Sequence, residues 1–262
     1  MSQNPPTITP TIAWPANLPP MPVVDFAQYG AVESVPLSRH QKMAASFLSR
    51  NWAQIPHVTH HDEADIDAAE ALRQQLAQEQ GSKLSLVPLL IKAAVQALRA
   101  LPRFNASLVG DALVLKRYFH IGVAVETPNG LVVPVIRDCD RKAIPELAAE
   151  LADKAERARG KGLPMSEMSG GCFTISSLGG IGGTAFTPII NAPELAILGV
   201  TRTAERLSLV DGRPCSRRVL PLSLSYDHRV INGADAARFC RALADALAMP
   251  ECLINEPSPS TP

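Results

Sequence analysis

The stretch of this chain with the most chemistry in it is Ser225-Tyr226-Asp227-His228-Arg229-Val230-Ile231-Asn232-Gly233. Imidazole titrates near neutrality, so His228 can take up a proton and return it within one reaction cycle. An amide-bearing Asn232 follows four residues later. A histidine taken alone more often packs or hydrogen-bonds than reacts. His228, however, sits between a strand pattern and a helix pattern, and a side chain at such a junction projects into a cleft.

The elements that must hold it are legible. Val219 to Ser225 alternates apolar and small polar residues, as a half-buried strand does. Ala236, Ala237, Phe239, Cys240, Leu243 and Leu247 recur at helical spacing, which predicts a helix over 233–249. Good helix formers predict further helices over 67–80, 87–101 and 143–159. A first helix is expected to begin at Arg39, after Val35-Pro36-Leu37-Ser38. Segments 121–125 and 131–136 read as paired strands around the turn Thr127-Pro128-Asn129-Gly130. Segments 171–176 and 196–200 read as short strands. Strands, helices and hairpins in this order predict an α/β two-layer sandwich with a mixed sheet, not a doubly wound parallel one.

Composition narrows the function classes. Twenty-five basic and 25 acidic side chains cancel, so nothing suggests a nucleic-acid groove or an anionic membrane surface as partner. Apolar residues make up 46%, enough for a sizeable core. The five cysteines are odd in number and form no CxxC pair, which fits free thiols in a reducing compartment. No apolar run approaches a membrane span, and the N-terminus lacks a basic-then-apolar signal. The expected location is the cytoplasm.

Both ends read differently from the middle. Residues 1–22 hold seven prolines among polar residues and are expected to be a disordered linker. Residues 255–262 are Pro/Ser-rich and are expected to be a disordered tail. That leaves 23–254 as one catalytic domain. Two smaller features point away from chemistry. Gly179-Gly180-Ile181-Gly182-Gly183 lacks a phosphate-loop lysine and reads as a tight turn. His57, His60, His61 and Asp62 alternate faces along a strand, which scatters the ligands, so no metal site is expected.

Asp227-His228-Arg229-Val230-Ile231-Asn232-Gly233 resembles the DHRxxDG signature of the dihydrolipoyl acyltransferases, the core components of 2-oxo-acid dehydrogenase complexes. The likeness extends through Phe173 to Gly179 and Ala185 to Glu194, and covers roughly residues 21 to 254. Asn232 replaces the more common Asp. The resemblance implies a chloramphenicol acetyltransferase-like fold. It implies transfer of an acyl group, acetyl by the look of the 220–239 stretch, between dihydrolipoamide and coenzyme A. Both are substrates, and no permanently bound cofactor is implied. His228 would be the general base and Ser176 the oxyanion donor. Asn232 would hold the loop or a neighbouring arginine, with Arg39 as its first candidate and Arg73 as the rival. His57 would lie near the substrate channel, with Phe186 also at the substrate.

The partners implied are a lipoyl domain carrying the acyl group and further copies of the chain. The family shares each site between two subunits of a homotrimer, and trimers join into cubic cores through a C-terminal apolar hook, here Pro250 to Ile254. With only the proline-rich stretch ahead of the catalytic domain, no lipoyl or subunit-binding domain is expected in this sequence. Asp153-Lys154-Ala155 has the letters of a lipoylation site but falls inside a helix, so no lipoyl-lysine is expected. The alternatives are a chloramphenicol acetyltransferase-type O-acyltransferase and a non-catalytic scaffold subunit.

Overall fold

The computed structural model describes residues 22–254, save Asn129 and Asp211. The linker up to residue 21 and the tail 255–262 lie outside the described residues. In chain order the elements are α1 (Arg39–Gln54), β1 (His57–Asp65), α2 (Asp67–Gln80), α3 (Val87–Ala100), β2 (Ala106–Val109), β3 (Ala112–Leu115), β4 (Ile121–Val123), β5 (Val125–Thr127), β6 (Gly130–Val132), β7 (Val135–Ile136), α4 (Ile144–Arg159), β8 (Phe173–Ser177), β9 (Ala196–Val200), β10 (Ala204–Val210), β11 (Arg213–Asp227), α5 (Gly233–Ala248) and α6 (Glu251–Ile254). The main sheet runs β1-β11-β9-β8-β4-β7, with β10 paired to β11. β9 and β4 run parallel to β8, while β1, β7 and β10 pair antiparallel with their neighbours. The sheet is therefore mixed.

Alternation along the strands gives the sheet two different faces. Phe173, Ile175, Leu198, Leu222, Leu224 and Tyr226 point into one continuous core with the helices. Within it the Phe239 ring of α5 stacks on Phe104 at 4.3 Å and meets Phe173 at 5.5 Å. Truncating such a buried aromatic costs about 3–5 kcal/mol. The opposite face carries Thr174, Ser176, Gly199, Ser223, Ser225 and Asp227, which are small or polar. This is the face with room for chemistry.

The chain between Ile121 and Ile136 folds back as expected but breaks into two ladders, β4 with β7 and β5 with β6. Pro134 lies at the break and has no N–H to continue the ladder. Two hairpins were not anticipated. Val109 pairs with Ala112, and Val210 with Arg213, so β2–β3 and β10–β11 each close over two residues.

Helix α1 begins as the spacing predicts. Ser38 caps it: its hydroxyl accepts from Gln41 N–H at 3.2 Å, and the Gln41 side chain accepts from Ser38 N–H at 2.8 Å. The helix buries only Asn51. Phe47 and Leu48 are each 47% exposed and Trp52 is 61% exposed.

The C-terminal hook is only half available. Leu253 is buried in the chain's own core, and the Gln96 amide donates to the Cys252 carbonyl at 2.7 Å. Leu253 therefore needs no second subunit to cover it, contrary to expectation. Ile254 alone projects, 55% exposed.

Candidate active site

His228 follows the last residue of β11. Its backbone N–H donates to the Pro56 carbonyl, and the Val230 and Ile231 N–H groups turn back onto the Asp227 carbonyl. The result is a tight turn with an exposed imidazole at its tip. Among the described residues that ring makes no hydrogen bond, and its one ring neighbour is Tyr226 at 5.8 Å.

Asp227 fixes the turn. Its carboxylate is buried and accepts from three donors of Arg229: backbone N–H at 3.0 Å, Nε at 2.9 and 3.2 Å to the two oxygens, and Nη2 at 2.6 Å. That bond holds Arg229 above its ordinary pKa. The sequence showed both residues, but their spacing did not announce the clasp.

Asn232 caps α5, with Oδ1 accepting from Asp235 N–H at 2.9 Å. Asn and Asp are about equally good at this position, so the departure from the common motif leaves the cap intact. Neither arginine candidate reaches Asn232 within the chain. Arg73 is bonded to Glu70 and to the Leu84 carbonyl. Arg39 stands exposed at the start of α1 with no ion pair among the described residues. A cation there gains nothing from the helix dipole.

His57 is engaged on both sides. Nδ1 meets the Ile55 carbonyl at 2.7 Å, and Nε2 accepts from Ile190 N–H at 2.9 Å. Its ring stacks on Trp52. Both nitrogens are therefore occupied by backbone. His57 fixes the 190 loop against β1 and has no ring atom left to bond a substrate. His61 bonds Ser223. No group of three His, Cys, Asp or Glu side chains comes together to hold a metal among the described residues.

Ser176 lies on the polar face of β8, half-buried and without a hydrogen-bond partner among the described residues. Its neighbour across the ladder is Gly199. The Phe186 ring lies directly over that glycine, where a Cβ would come within 2.6 Å of the ring. Phe186 thus adjoins the serine's row. The glycine-rich segment after Leu178 forms a turn, with Ile181 and Gly182 N–H both donating to the Leu178 carbonyl.

Register separates the serine from the histidine. Ser176 aligns with Gly199, and Gly199 with Ser223. Asp227 lies four residues further along β11, so the two rows stand about 10 Å apart across the strands and about 13 Å along them. One imidazole and one hydroxyl of the same chain cannot meet a single reacting carbonyl across that gap. The chain also offers no activated thiol in the core: burial pushes Cys139 and Cys240 up to about 12. Lys154 is buried in α4 and donates to the Val135 carbonyl at 2.7 Å.

Known proteins resemble this chain in sequence and fold. A curated relative from Pseudomonas aeruginosa, the dihydrolipoyllysine-residue acetyltransferase component of a pyruvate dehydrogenase complex, is 54% identical over 239 residues. That match covers 89% of this chain but 44% of the relative, so the chain spans less than half the relative's length. The Azotobacter vinelandii dihydrolipoamide acetyltransferase was solved in an investigation of the roles of a serine, a histidine and an asparagine in its catalytic mechanism. It superposes with a TM-score of 0.87 at 52% identity, over 90% of this chain and 99% of that one. The cubic core of a pyruvate dehydrogenase multienzyme complex gives 0.87 at 53% identity, over the same shares of the two chains. A chloramphenicol acetyltransferase shares the fold alone, with a TM-score of 0.50 at 17% identity over 77% of this chain and 94% of that one. The family model of the 2-oxoacid dehydrogenases acyltransferase catalytic domain matches residues 29–255, and this chain belongs to that family.

Proposed function

We propose that this chain transfers an acetyl group between dihydrolipoamide and coenzyme A, as the core of a pyruvate dehydrogenase-type complex. One observation carries the reading: His228, exposed in the turn after β11, and Ser176, on the polar face of β8, have no hydrogen-bond partner among the described residues and stand too far apart to meet within one chain. The serine and histidine investigated in the Azotobacter enzyme are 52 positions apart, and the asparagine follows the histidine by four. Ser176, His228 and Asn232 repeat both intervals.

The chemistry needs a thiolate. A free thiol has a pKa of about 8.5 and is mostly protonated near neutrality. His228 takes the coenzyme A thiol proton as the sulfur attacks the thioester carbonyl. The new carbon–sulfur bond leaves a tetrahedral oxyanion, and the Ser176 hydroxyl donates to it. Collapse breaks the bond to the dihydrolipoamide sulfur, which recovers the proton from the imidazolium. A donor placed for the oxyanion contributes about 3 kcal/mol in the transition state. The two thiols meet directly, with no acyl-enzyme. Phe186, beside the serine's row, bounds the acyl end.

The gap between Ser176 and His228 makes each site a joint one, with the serine from one subunit and the histidine from its neighbour in a homotrimer. The bare apolar side of α1 supplies surface for that contact. Arg39, with no ion pair among the described residues, is the arginine we assign to Asn232 of the neighbour. Ile254 is the residue left to join trimers into a larger, cubic particle. The acyl donor is a lipoyl domain from a longer chain or a partner protein. Five free thiols suit the reducing cytoplasm.

The deciding assay mixes acetyl-CoA with free dihydrolipoamide and follows thioester formation. Wild type should transfer, and His228→Ala should fall about 10²–10⁴-fold with assembly unchanged. A wild type that assembles but transfers nothing would leave only a scaffold, and a fully active His228→Ala would remove the histidine from the chemistry.

A further inference from the structure

Glu194 is a carboxylate in a place where a charge is costly. It precedes β9 and is 3% exposed. Its Oε2 accepts the Thr174 hydroxyl proton at 2.6 Å, and the Asn191 amide bonds it as well. Gly171 makes room for it, since a Cβ there would stand 2.6 Å from Oε1. The cation facing it is Lys116, whose Nζ donates to the Gly171 carbonyl at 3.3 Å. Burial holds Lys116 below its ordinary pKa and lifts the adjoining Cys172 thiol above its own.

On its other side lies a cavity of 170 Å³ that Arg50, Asp227 and Arg229 also line. Those three charges are engaged elsewhere: Arg229 holds Asp227, and Arg50 donates to the Asn51 amide oxygen. Among the described residues Lys116 is thus the one charge acting directly on Glu194.

An apolar residue of the same size would usually serve such a site as well or better, so the identity of the partner matters. Thr174 lies two residues before Ser176 on the same face of the same strand. The residue after Glu194 also reaches the histidine turn, because the Leu195 carbonyl accepts from Asp227 N–H at 2.9 Å. One buried carboxylate therefore ties the serine's strand to the loop that braces the histidine.

We propose that Glu194 is a positioning residue for acyl transfer: its ionised carboxylate holds Thr174, and through β8 the Ser176 hydroxyl, in place, and its protonation loosens that hold. The inference rests on the acyl-transfer reading. An ionised carboxylate can accept from Thr174 and Asn191 without a proton of its own to place, whereas a protonated one must find an acceptor for that proton. Its bond to Thr174 also loses charge assistance, which roughly doubles hydrogen-bond strength. Burial raises the Glu194 carboxyl to about 7, so the change falls where the enzyme works.

The test is turnover against pH with saturating acetyl-CoA and free dihydrolipoamide, for wild type, Glu194→Gln, Thr174→Val and Thr174→Ser. The wild-type acid limb should include the protonation of Glu194. Glu194→Gln should lower turnover about tenfold at high pH, the scale of a small misplacement of a reacting group. It should make the acid limb shallower than in wild type and leave the Michaelis constant for acetyl-CoA unchanged. Thr174→Val should fall likewise, and Thr174→Ser, which keeps the hydroxyl, should recover. The infrared band of a protonated carboxyl should titrate near neutrality in wild type and be absent from Glu194→Gln.

A folded Glu194→Gln with wild-type turnover and acid limb would overturn the proposal. If that variant does not fold, a Thr174→Val with the wild-type profile overturns it instead. A wild type without any transfer would sink the acyl-transfer reading and this inference together; an active wild type with unmoved variants would sink this inference alone.

Discussion

Asp227 and Arg229 close on each other around the histidine between them. The carboxylate is 1% exposed while the guanidinium side chain keeps 34% of its surface in solvent. The buried partner thus depends on the exposed one. Arg229→Ala should cost about 2 kcal/mol, the scale of hydrogen bonds to a charged group, and should lower turnover by misplacing His228. Urea midpoints and turnover check both effects; an unchanged turnover would show that the turn holds its shape without the clasp.

Ser176→Ala should lower turnover by about 10²-fold or more while the Michaelis constant for coenzyme A stays put, because an oxyanion donor acts mainly in the transition state. Weaker binding with intact turnover would make Ser176 a lining residue only.

If serine and histidine come from different subunits, two dead variants can repair each other. Chains of Ser176→Ala and His228→Ala, unfolded and refolded together in equal amounts, should regain roughly a quarter of wild-type activity, since three in four random trimers then hold one intact site of three. No recovery from mixed trimers would refute the shared site.

Glu194 makes stability depend on pH with a definite sign. Its carboxyl is raised from an ordinary 4.5 to about 7, so the folded chain holds this proton more tightly than the unfolded one. The associated stability is fully present below pH 4.5 and is lost as the pH rises through 7, a loss of roughly 3 kcal/mol. Glu194→Gln should flatten that slope. Denaturation midpoints at pH 5 and pH 8 give the comparison, and equal slopes in both proteins would contradict the burial effect.

The two halves of the C-terminal hook should separate cleanly by mutation. Leu253→Ala should destabilise each chain by about 2–5 kcal/mol, as a core truncation does. Ile254→Asp should leave an active trimer and abolish any larger particle. Light scattering decides between them, and a large particle surviving Ile254→Asp would clear the hook of that role.

Much of this architecture was readable from local pattern. Segments 67–80 and 196–200 match α2 and β9 to the residue because period and breakers agree there. Gly110-Asp111 and Asp211-Gly212, each preceded by apolar residues, are hairpin signals in their own right and legible in principle. The break at Pro134 follows from a missing N–H and was legible in principle. At the site, the turn that presents His228 followed from strand, turn and helix in succession. Glu194 was opaque. Its burial depends on the space left by Gly171, 23 positions earlier, and no local pattern carries that. The tie from His57 to Ile190 is more remote still, 133 positions apart.

Helix α1 keeps Met43, Phe47, Leu48 and Trp52 along one half of its circumference, all at least 40% exposed. In the proposed trimer, a chain newly released from the ribosome would carry that sticky surface until another copy covers it. Its capture is a concentration-dependent encounter in competition with nonspecific clumping. Yield on refolding should therefore peak at an intermediate protein concentration: too dilute, and the partner arrives late; too concentrated, and the wrong neighbour arrives first.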